Sequence, residues 1–85
     1  MPDAVTEAIR AILHVHGRLA VDVGTLGDDA DLYEAGLSSF ASVTLMLALE
    51  EHFEVEFSDR MLSRGAFASI TAIRSGLGQL FGAGA

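Results

Sequence analysis

Two adjacent serines, Ser38 and Ser39, are the residues of this chain whose type and position are best suited to chemistry. A helix is predicted to begin at this pair and to run from about Ser39 to Phe53. The first backbone N–H groups of a helix have no partner within the helix, and they form the positive end of its dipole. Both properties favour a phosphate group at that end. A serine hydroxyl here is therefore a suitable attachment point for a phosphodiester.

The two serines are expected to have different roles. Ser38 lies where a helix cap is expected, with its oxygen bound to backbone N–H groups one turn further on. The hydroxyl of Ser39 would then be free to face another molecule, so Ser39 is the predicted attachment site. A serine pair before a helix also occurs simply as a cap, and taken alone these residues leave that interpretation open.

Size and charge limit the functions that the chain can have. It has 85 residues and a formal charge of −7, from twelve acidic side chains and five arginines. A closed catalytic cleft usually needs a larger scaffold, so we expect a binding or carrier module and no enzyme. The negative charge disfavours nucleic acids and anionic membranes, and it favours basic protein partners.

Composition also indicates where the protein works. The absence of cysteine excludes a disulfide framework and a zinc ribbon. No stretch approaches the roughly 18 apolar residues of a membrane span, and the N-terminus lacks the basic and apolar regions of a signal peptide. We therefore expect a cytoplasmic protein with no membrane partner.

No metal site is expected from the acidic loop or from the histidines. A calcium loop beginning at Asp29 would need glycine at its sixth position and glutamate at its twelfth, and the chain has neither there. The neighbouring Asp28 and Asp31 are interpreted as solvated charge. Two of the histidines, His14 and His16, fall on different faces of a helix. With His52, they are interpreted as structural.

Apolar spacing and capping residues predict an all-α domain of four helices, with a short third helix and a long first loop. The first helix is expected to be capped by Asp3 and to end at Gly17. The loop, residues 18–37, is expected to contain a short helical turn near its end, at 32–35.

The predicted C-terminal part contains two helices. Ser58 or Asp59 is expected to cap a short helix that ends near Leu62, and Ser69 is expected to cap the last one. The core positions of that last helix are predicted to be Ile70, Ile73, Leu77 and Leu80. Residues 1–85 are expected to form one domain, with a core of about 4–81 and a flexible tail at 82–85.

The second helix is predicted to be apolar over most of its circumference. One stripe contains smaller or polar side chains at spacings of three, four and three, namely Ala41, Thr44, Ala48 and Glu51. A solvated helix face normally has long charged side chains, which this stripe largely lacks. We therefore expect the stripe to be an exposed docking surface for a partner, together with Leu37 and Phe40 beside Ser39.

The pattern around Ser39 resembles the acyl carrier protein family over about residues 4–81. The resemblance rests on Asp31-Leu32-Tyr33, Gly36-Leu37-Ser38-Ser39-Phe40, Val43, Leu45, Leu49-Glu50-Glu51, Phe53, Val55 and Phe57. In that family a Gly-x-Asp-Ser-Leu motif opens the second helix, and a separate transferase attaches a 4'-phosphopantetheine arm to its serine. The matching serine is Ser39. Ser38 stands where the family has aspartate, and Phe40 stands where it has leucine.

A second resemblance narrows the expected cargo. The family usually has acids at the positions of Ala41 and Thr44, and their absence together with the run Leu-Ser-Ser-Phe-Ala-Ser-Val is similar to the short bacterial aminoacyl carrier proteins. The resemblance implies a partner ligase, similar to seryl-tRNA synthetase, that activates an amino acid as its adenylate. The ligase would pass the amino acid to the thiol of the arm as a thioester, and the carrier itself would catalyse nothing.

Other functions remain open at this point. The acceptor enzyme that would take the amino acid is not identified by the sequence. A conventional fatty-acyl or polyketide carrier would have the same arm with a different docking face. A protein-interaction module of the same fold would never be modified at Ser39.

Overall fold

Three α-helices form most of the structure, a computed structural model that describes residues 4–83. They are α1 (Ala4–His16), α2 (Ser39–Phe53) and α3 (Ile70–Ala83). No strand occurs within these residues, so the predicted all-α class is confirmed. The predicted bounds of α2 are also confirmed.

The first helix lies at the centre of the packing, because α1 contacts both α2 and α3. Its buried side chains are Thr6, Ile9, Ile12 and Leu13. The helix ends where glycine was expected, and the Gly17 N–H donates to the Leu13 carbonyl oxygen at 2.8 Å. A Cβ atom at Gly17 would lie 2.7 Å from that same oxygen, so a larger residue would disturb this end of the helix. The predicted cap, Asp3, lies outside the described residues.

The core is built from apolar side chains of all three helices and of the segments between them. Its buried members are Ile9, Ile12, Leu13, Val23, Leu32, Leu37, Ala41, Leu45, Leu49, Phe57, Phe67, Ile70, Ile73 and Leu77. Three of the four predicted core positions of the last helix belong to this set, and the fourth, Leu80, packs against it half-buried. The predicted cap of that helix is also confirmed, because the Ser69 Oγ accepts from the Ala72 N–H at 3.0 Å.

The long loop between α1 and α2 is ordered by hydrogen bonds to distant parts of the chain. The Leu32 N–H donates to the Ala68 carbonyl at 2.8 Å, and the Thr71 N–H donates to the Asp28 carbonyl at 2.9 Å. From α1, Arg10 forms an ion pair with the carboxylate of Asp28 at 2.6 Å. The loop also contains a 3-10 turn at Val23–Thr25, which was not predicted. These bonds place the loop against both α1 and the start of α3.

The prediction of a short third helix is wrong, because this segment forms 3-10 turns. Two 3-10 turns, Asp59–Met61 and Arg64–Phe67, occupy this part of the chain, so residues 4–83 contain three α-helices where four helices were expected. Ser58 lies at the cap position of the first turn but makes no side-chain cap bond. Gly65, in the second turn, has a low intrinsic preference for the α-helix. Neither the side chain of Ser58 nor the backbone of Gly65 therefore stabilises a longer helix in this segment.

The last helix extends further than expected. The predicted flexible tail began at Gly82, but α3 continues to Ala83. Its apolar face is anchored in the core, and tertiary packing of this kind outweighs the low helix propensity of glycine. The remaining tail residues, Gly84 and Ala85, lie outside the described residues. Within the described residues, none of the helices combines the length and the apolar character that a membrane crossing requires.

Two leucines of α2 provide a test of this packing. Leu45 is fully buried and Leu47 is 55% exposed. Leu45→Ala should lower the free energy of unfolding by about 2–5 kcal/mol, because it leaves a cavity in the core. Leu47→Ala, the matched control, should change it by less than about 0.5 kcal/mol. Urea unfolding followed by circular dichroism measures both, and equal losses for the two variants would contradict the assigned orientation of α2.

Candidate functional site

The N-terminus of α2 is capped by Ser38. This residue has an extended backbone, with φ −86° and ψ 164°, and its Oγ accepts a hydrogen bond from the Ala41 N–H at 3.0 Å. The Ser38 carbonyl accepts from the Ser42 N–H at 2.9 Å, which is the first bond of the helix. The hydroxyl of Ser38 is therefore occupied in holding the helix end.

Ser39, the first residue of α2, presents its hydroxyl to the outside. The residue is exposed, and its hydroxyl makes no hydrogen bond with another part of the described chain. Only its carbonyl oxygen is engaged, accepting from the Ser42 hydroxyl at 2.7 Å. The two neighbouring serines therefore differ in their hydrogen bonds, because the Ser38 oxygen caps the helix and the Ser39 hydroxyl is bound to no other described residue.

The segment before the serines is folded into a tight turn. The Asp31 carboxylate accepts from the Tyr33 N–H at 2.9 Å and from the Glu34 N–H at 3.3 Å, which starts one turn of helical chain. The predicted helical turn is thus present as a single hydrogen-bonded turn. The Leu37 N–H closes it by donating to the Leu32 carbonyl at 2.9 Å. The chain enters α2 from this turn in a fixed direction.

Gly36, in this turn, has a backbone conformation and a close contact that a larger residue would strain. Gly36 has φ +115°, a conformation that residues with a side chain rarely adopt. A Cβ atom there would also lie 2.7 Å from the backbone nitrogen of Ala20. The Ala20 N–H donates to the Ala35 carbonyl at 2.8 Å, so the beginning and the end of the loop meet at this point. Gly36 therefore allows the close approach that positions the serines.

A cleft of about 400 Å³ opens beside Ser39. It lies between α2 and the 3-10 turns that replace the predicted third helix. Its lining consists of Tyr33, Ser39, Ser42, Val43, Met46, Leu62, Ser63 and Phe67. None of these residues is charged. The attachment candidate thus borders an uncharged groove with both hydroxyl and apolar walls.

The exposed surface of α2 is an apolar stripe that begins next to Ser39. Phe40 is 77% exposed, Val43 is 54% exposed, and Leu47 follows one turn further on. The first turn of α2 contains no acidic residue, and the exposed acid Glu51 lies near the other end of the helix. We call Phe40, Val43 and Leu47 the apolar stripe.

The predicted exposure of the docking residues is wrong in part. Ala41 is only 2% exposed and belongs to the core, and Ala48 is half-buried against it. Leu37, expected beside Ser39 on the surface, is 4% exposed and also belongs to the core. Thr44 is partly exposed at the border of the two faces. The accessible face is therefore rotated from the expected one by roughly a quarter turn of the helix.

The physical reason for this error is the composition of α2. Apolar residues surround the whole helix, so periodicity does not distinguish its inner face from its outer face. The small side chains of Ala41 and Ala48 suggested a contact surface for a partner. Small side chains also occur where a helix packs closely against the rest of its own domain, and that is how these two residues are used. Phe40 and Glu51 are exposed as expected, whereas Val43 and Leu47 were missed as surface residues, because their helical spacing is equally typical of a buried face.

Substitution of each serine in turn tests the division of roles at this site. Ser38→Ala should lower the free energy of unfolding by about 0.5–2 kcal/mol, because the Ala41 N–H loses its acceptor. Ser38→Asp should restore most of this loss, since aspartate caps a helix as well as serine does. Ser39→Ala should leave stability within about 0.5 kcal/mol of the original chain. Urea unfolding of the unmodified protein measures all three, and a larger loss for Ser39→Ala would reverse the assignment.

Proteins similar to this chain include a curated relative and several solved structures. An aminoacyl carrier protein of Agrobacterium fabrum (strain C58) is 60% identical over 65 residues, which are 76% of this chain and 78% of that protein. Two crystal structures of an engineered Bradyrhizobium japonicum glycine:[carrier protein] ligase, complexed with a carrier protein from Agrobacterium tumefaciens, contain a similar chain. The match in the ATP complex has a TM-score of 0.86 and 52% identity, and covers 88% of this chain and 97% of that one.

The match in the AMP complex has a TM-score of 0.84 and 53% identity, covering 86% of this chain and 97% of the other. A family model described as a phosphopantetheine attachment site matches residues 3–73, which include the α2 N-terminus and the cleft. A free serine hydroxyl at a helix N-terminus, beside an uncharged groove, suits the attachment of such a group. The chain belongs to the phosphopantetheine-attachment family of carrier proteins, which hold their cargo on a covalent arm and do not catalyse its chemistry.

Proposed function

We propose that this chain carries 4'-phosphopantetheine on Ser39 and holds an amino acid on that arm as a thioester. The observation that supports Ser39 is the contrast between the two serines, because the Ser38 hydroxyl holds the helix end and the Ser39 hydroxyl is exposed. The similarity to an aminoacyl carrier protein supports an amino acid as the cargo.

The chain itself positions the phosphate of the arm and stabilises its negative charge. In the transfer from coenzyme A, Ser39 Oγ would lose its proton and form the ester bond to the phosphate, the pyrophosphate bond would break, and adenosine 3',5'-bisphosphate would leave. Ser38 would keep the helix end ordered around the new phosphodiester. The phosphodiester then lies at the positive end of the α2 dipole, where a negative charge is stabilised by about 0.3–1 kcal/mol at an exposed site. When bound, the arm supplies the thiol on which the thioester forms. The chain has no cysteine, so no thiol of its own competes for the amino acid.

Three kinds of partner belong to this function. A phosphopantetheinyl transferase attaches the arm, and an ATP-dependent amino acid:carrier protein ligase, similar to seryl-tRNA synthetase, loads it. The ligase is supported by the similar carrier chains found in complexes with a glycine:[carrier protein] ligase. An acceptor enzyme that remains to be identified takes the amino acid. We place these steps in the cytoplasm, where ATP is available.

The apolar stripe of α2 is the proposed docking surface for the ligase, with Thr44 at its border and Glu51 at its far end. It starts at the residue after Ser39, so a partner that binds this face lies close to the proposed attachment point of the arm. Three exposed apolar side chains in a row along one helix form an unusual surface for a free domain and suit a protein partner. Docking here would be driven by apolar burial and would depend little on salt.

Modification at Ser39 can be tested by intact mass. After incubation with coenzyme A and a phosphopantetheinyl transferase, the wild-type chain should gain the mass of one phosphopantetheine group. Ser39→Ala should gain nothing, because it lacks the acceptor oxygen. Ser38→Asp, which retains a cap, should still be modified. An unchanged wild-type mass, or peptide mapping that places the group on Ser38, would reject the proposed site.

Loading distinguishes the aminoacyl carrier from the conventional acyl carrier. The modified protein, given ATP, glycine and a glycine:[carrier protein] ligase, should gain one glycyl group that hydroxylamine removes, as expected of a thioester. The Ser39→Ala variant should gain none. Failure to load with any amino acid, together with loading of a fatty acid by a fatty-acyl ligase, would favour the conventional carrier.

The same assay tests the docking surface with a matched pair of substitutions. Leu47→Arg adds a positive charge to the apolar stripe, and Val15→Arg adds the same charge at another exposed apolar position, on α1. Leu47→Arg should lower the loading rate at least about tenfold, equivalent to 1.4 kcal/mol, with an unchanged helical circular dichroism. Val15→Arg should load as wild type does. Equal rates for both variants would exclude the stripe as the ligase contact.

A further inference from the structure

A second groove, of about 340 Å³, lies between α3 and the 3-10 turns. Its volume falls within the roughly 300–1,000 Å³ typical of small-molecule sites. Ser63 lines both this groove and the cleft beside Ser39, but the two cavities have no other lining residue in common. We call it the α3 groove, and the lining residues that matter for its chemistry are Arg60, Met61, Ser75, Gly76 and Gln79.

The α3 groove contains a positive charge that the chain does not neutralise. Arg60 is exposed and forms no ion pair with the described residues. The guanidinium of Arg10, by contrast, is paired with the Asp28 carboxylate at 2.6 Å. A guanidinium presents two parallel N–H donors that match the two oxygens of a carboxylate. Arg60 therefore offers the groove a binding point for one carboxylate group.

The surroundings of Arg60 limit the charge and the shape of such a ligand. Ser75 and Gln79, one turn apart on α3, are exposed and supply further hydrogen-bond donors without a partner in the described chain. The exposed acids Glu56 and Asp59 belong to the same segment as Arg60, and they disfavour a doubly charged anion. The half-buried side chain of Met61 adds an apolar wall. A monocarboxylate with a small apolar body matches this set.

Gly76 keeps space open on the α3 side of the groove. It lies in the interior of α3, where glycine destabilises a helix relative to alanine. A Cβ atom at Gly76 would lie 3.6 Å from Met61 Cε and 3.8 Å from Phe57 Cε1, which is ordinary van der Waals contact. Packing therefore does not require glycine at this position, and a longer side chain here would extend into the groove.

We propose that the α3 groove binds a small monocarboxylate, with the carboxylate on the Arg60 guanidinium and the apolar body against Met61, beside Gly76. The site requires neither the arm nor the ligase. It therefore goes beyond the proposed function and does not depend on Ser39.

Benzoate is a suitable probe, because it joins one carboxylate to a compact apolar ring. Titration of the unmodified, nitrogen-15-labelled chain with sodium benzoate, at constant ionic strength, should shift the backbone amide resonances of Arg60, Gly65, Gly76 and Gln79 to saturation. Benzamide has nearly the same shape without the charge. It should bind at least about tenfold more weakly, because the charge-assisted hydrogen bonds are lost.

Three substitutions test the two halves of the site. Arg60→Gln should weaken benzoate binding at least about tenfold, because it removes the positive charge. Gly76→Leu should abolish binding by filling the groove. Gly78→Leu is the matched control, since Gly78 is also an interior glycine of α3 but has no other atom near its Cβ position and does not line the groove. It should bind as wild type does, and circular dichroism shows that each variant is folded.

Shifts that remain linear in benzoate concentration, or that spread evenly over the chain, would overturn the proposal. Equal affinities for benzoate and benzamide, or unchanged binding by Arg60→Gln, would also overturn it, because the carboxylate would then have no specific partner. Arg60→Gln decides the question even if Gly76→Leu proves unstable, since Arg60 is exposed. Ser39→Ala should bind benzoate as wild type does, so failure of this site and failure of the carrier function are distinguishable.

Discussion

The geometry of the candidate site depends on the hydrogen bond between the Ser38 Oγ and the Ala41 N–H. It satisfies one of the N–H groups that a helix leaves unpaired, and it fixes the point at which α2 begins. Because the bond uses the hydroxyl of Ser38, the next hydroxyl along the chain remains available. Two adjacent residues with identical side chains thereby differ in their hydrogen bonds, and the different roles proposed for them rest on that difference.

The position of that bond in space depends on the preceding loop. Gly36 permits the contact with Ala20, and Asp31 starts the turn that ends at Leu37. Leu37 is buried, so the chain is anchored in the core immediately before the cap. The chain before Ser39 is therefore held by hydrogen bonds and by burial of Leu37, whereas α2 beyond Ser39 has an exposed apolar surface. A carrier modified at Ser39 would use both features, the ordered helix end for the arm and the accessible helix face for a partner.

Local signals in the sequence were sufficient for the three α-helices and for the cap at Ser38. Capping residues and apolar spacing predicted the bounds of α2 and the start of α3, because these depend on neighbouring residues alone. The orientation of α2 was not predictable in the same way, since Ala41 and Val43 are both apolar and only tertiary packing decides which is buried. The short third helix was wrongly predicted from capping residues that the chain does not use. The cleft beside Ser39 is formed by residues that are distant in sequence, so no local pattern could predict it.

The bonds that hold the loop have a consequence for biosynthesis. The backbone of Leu32 is tied to Ala68, and that of Asp28 is tied to Thr71. On the ribosome, the serine pair leaves the exit tunnel before Ala68 and Thr71 do, and a chain generally folds as a complete domain. The serine pair thus reaches its native surroundings only after the start of α3 has emerged, so that an enzyme that required the folded turn would act on finished chains in preference to nascent ones.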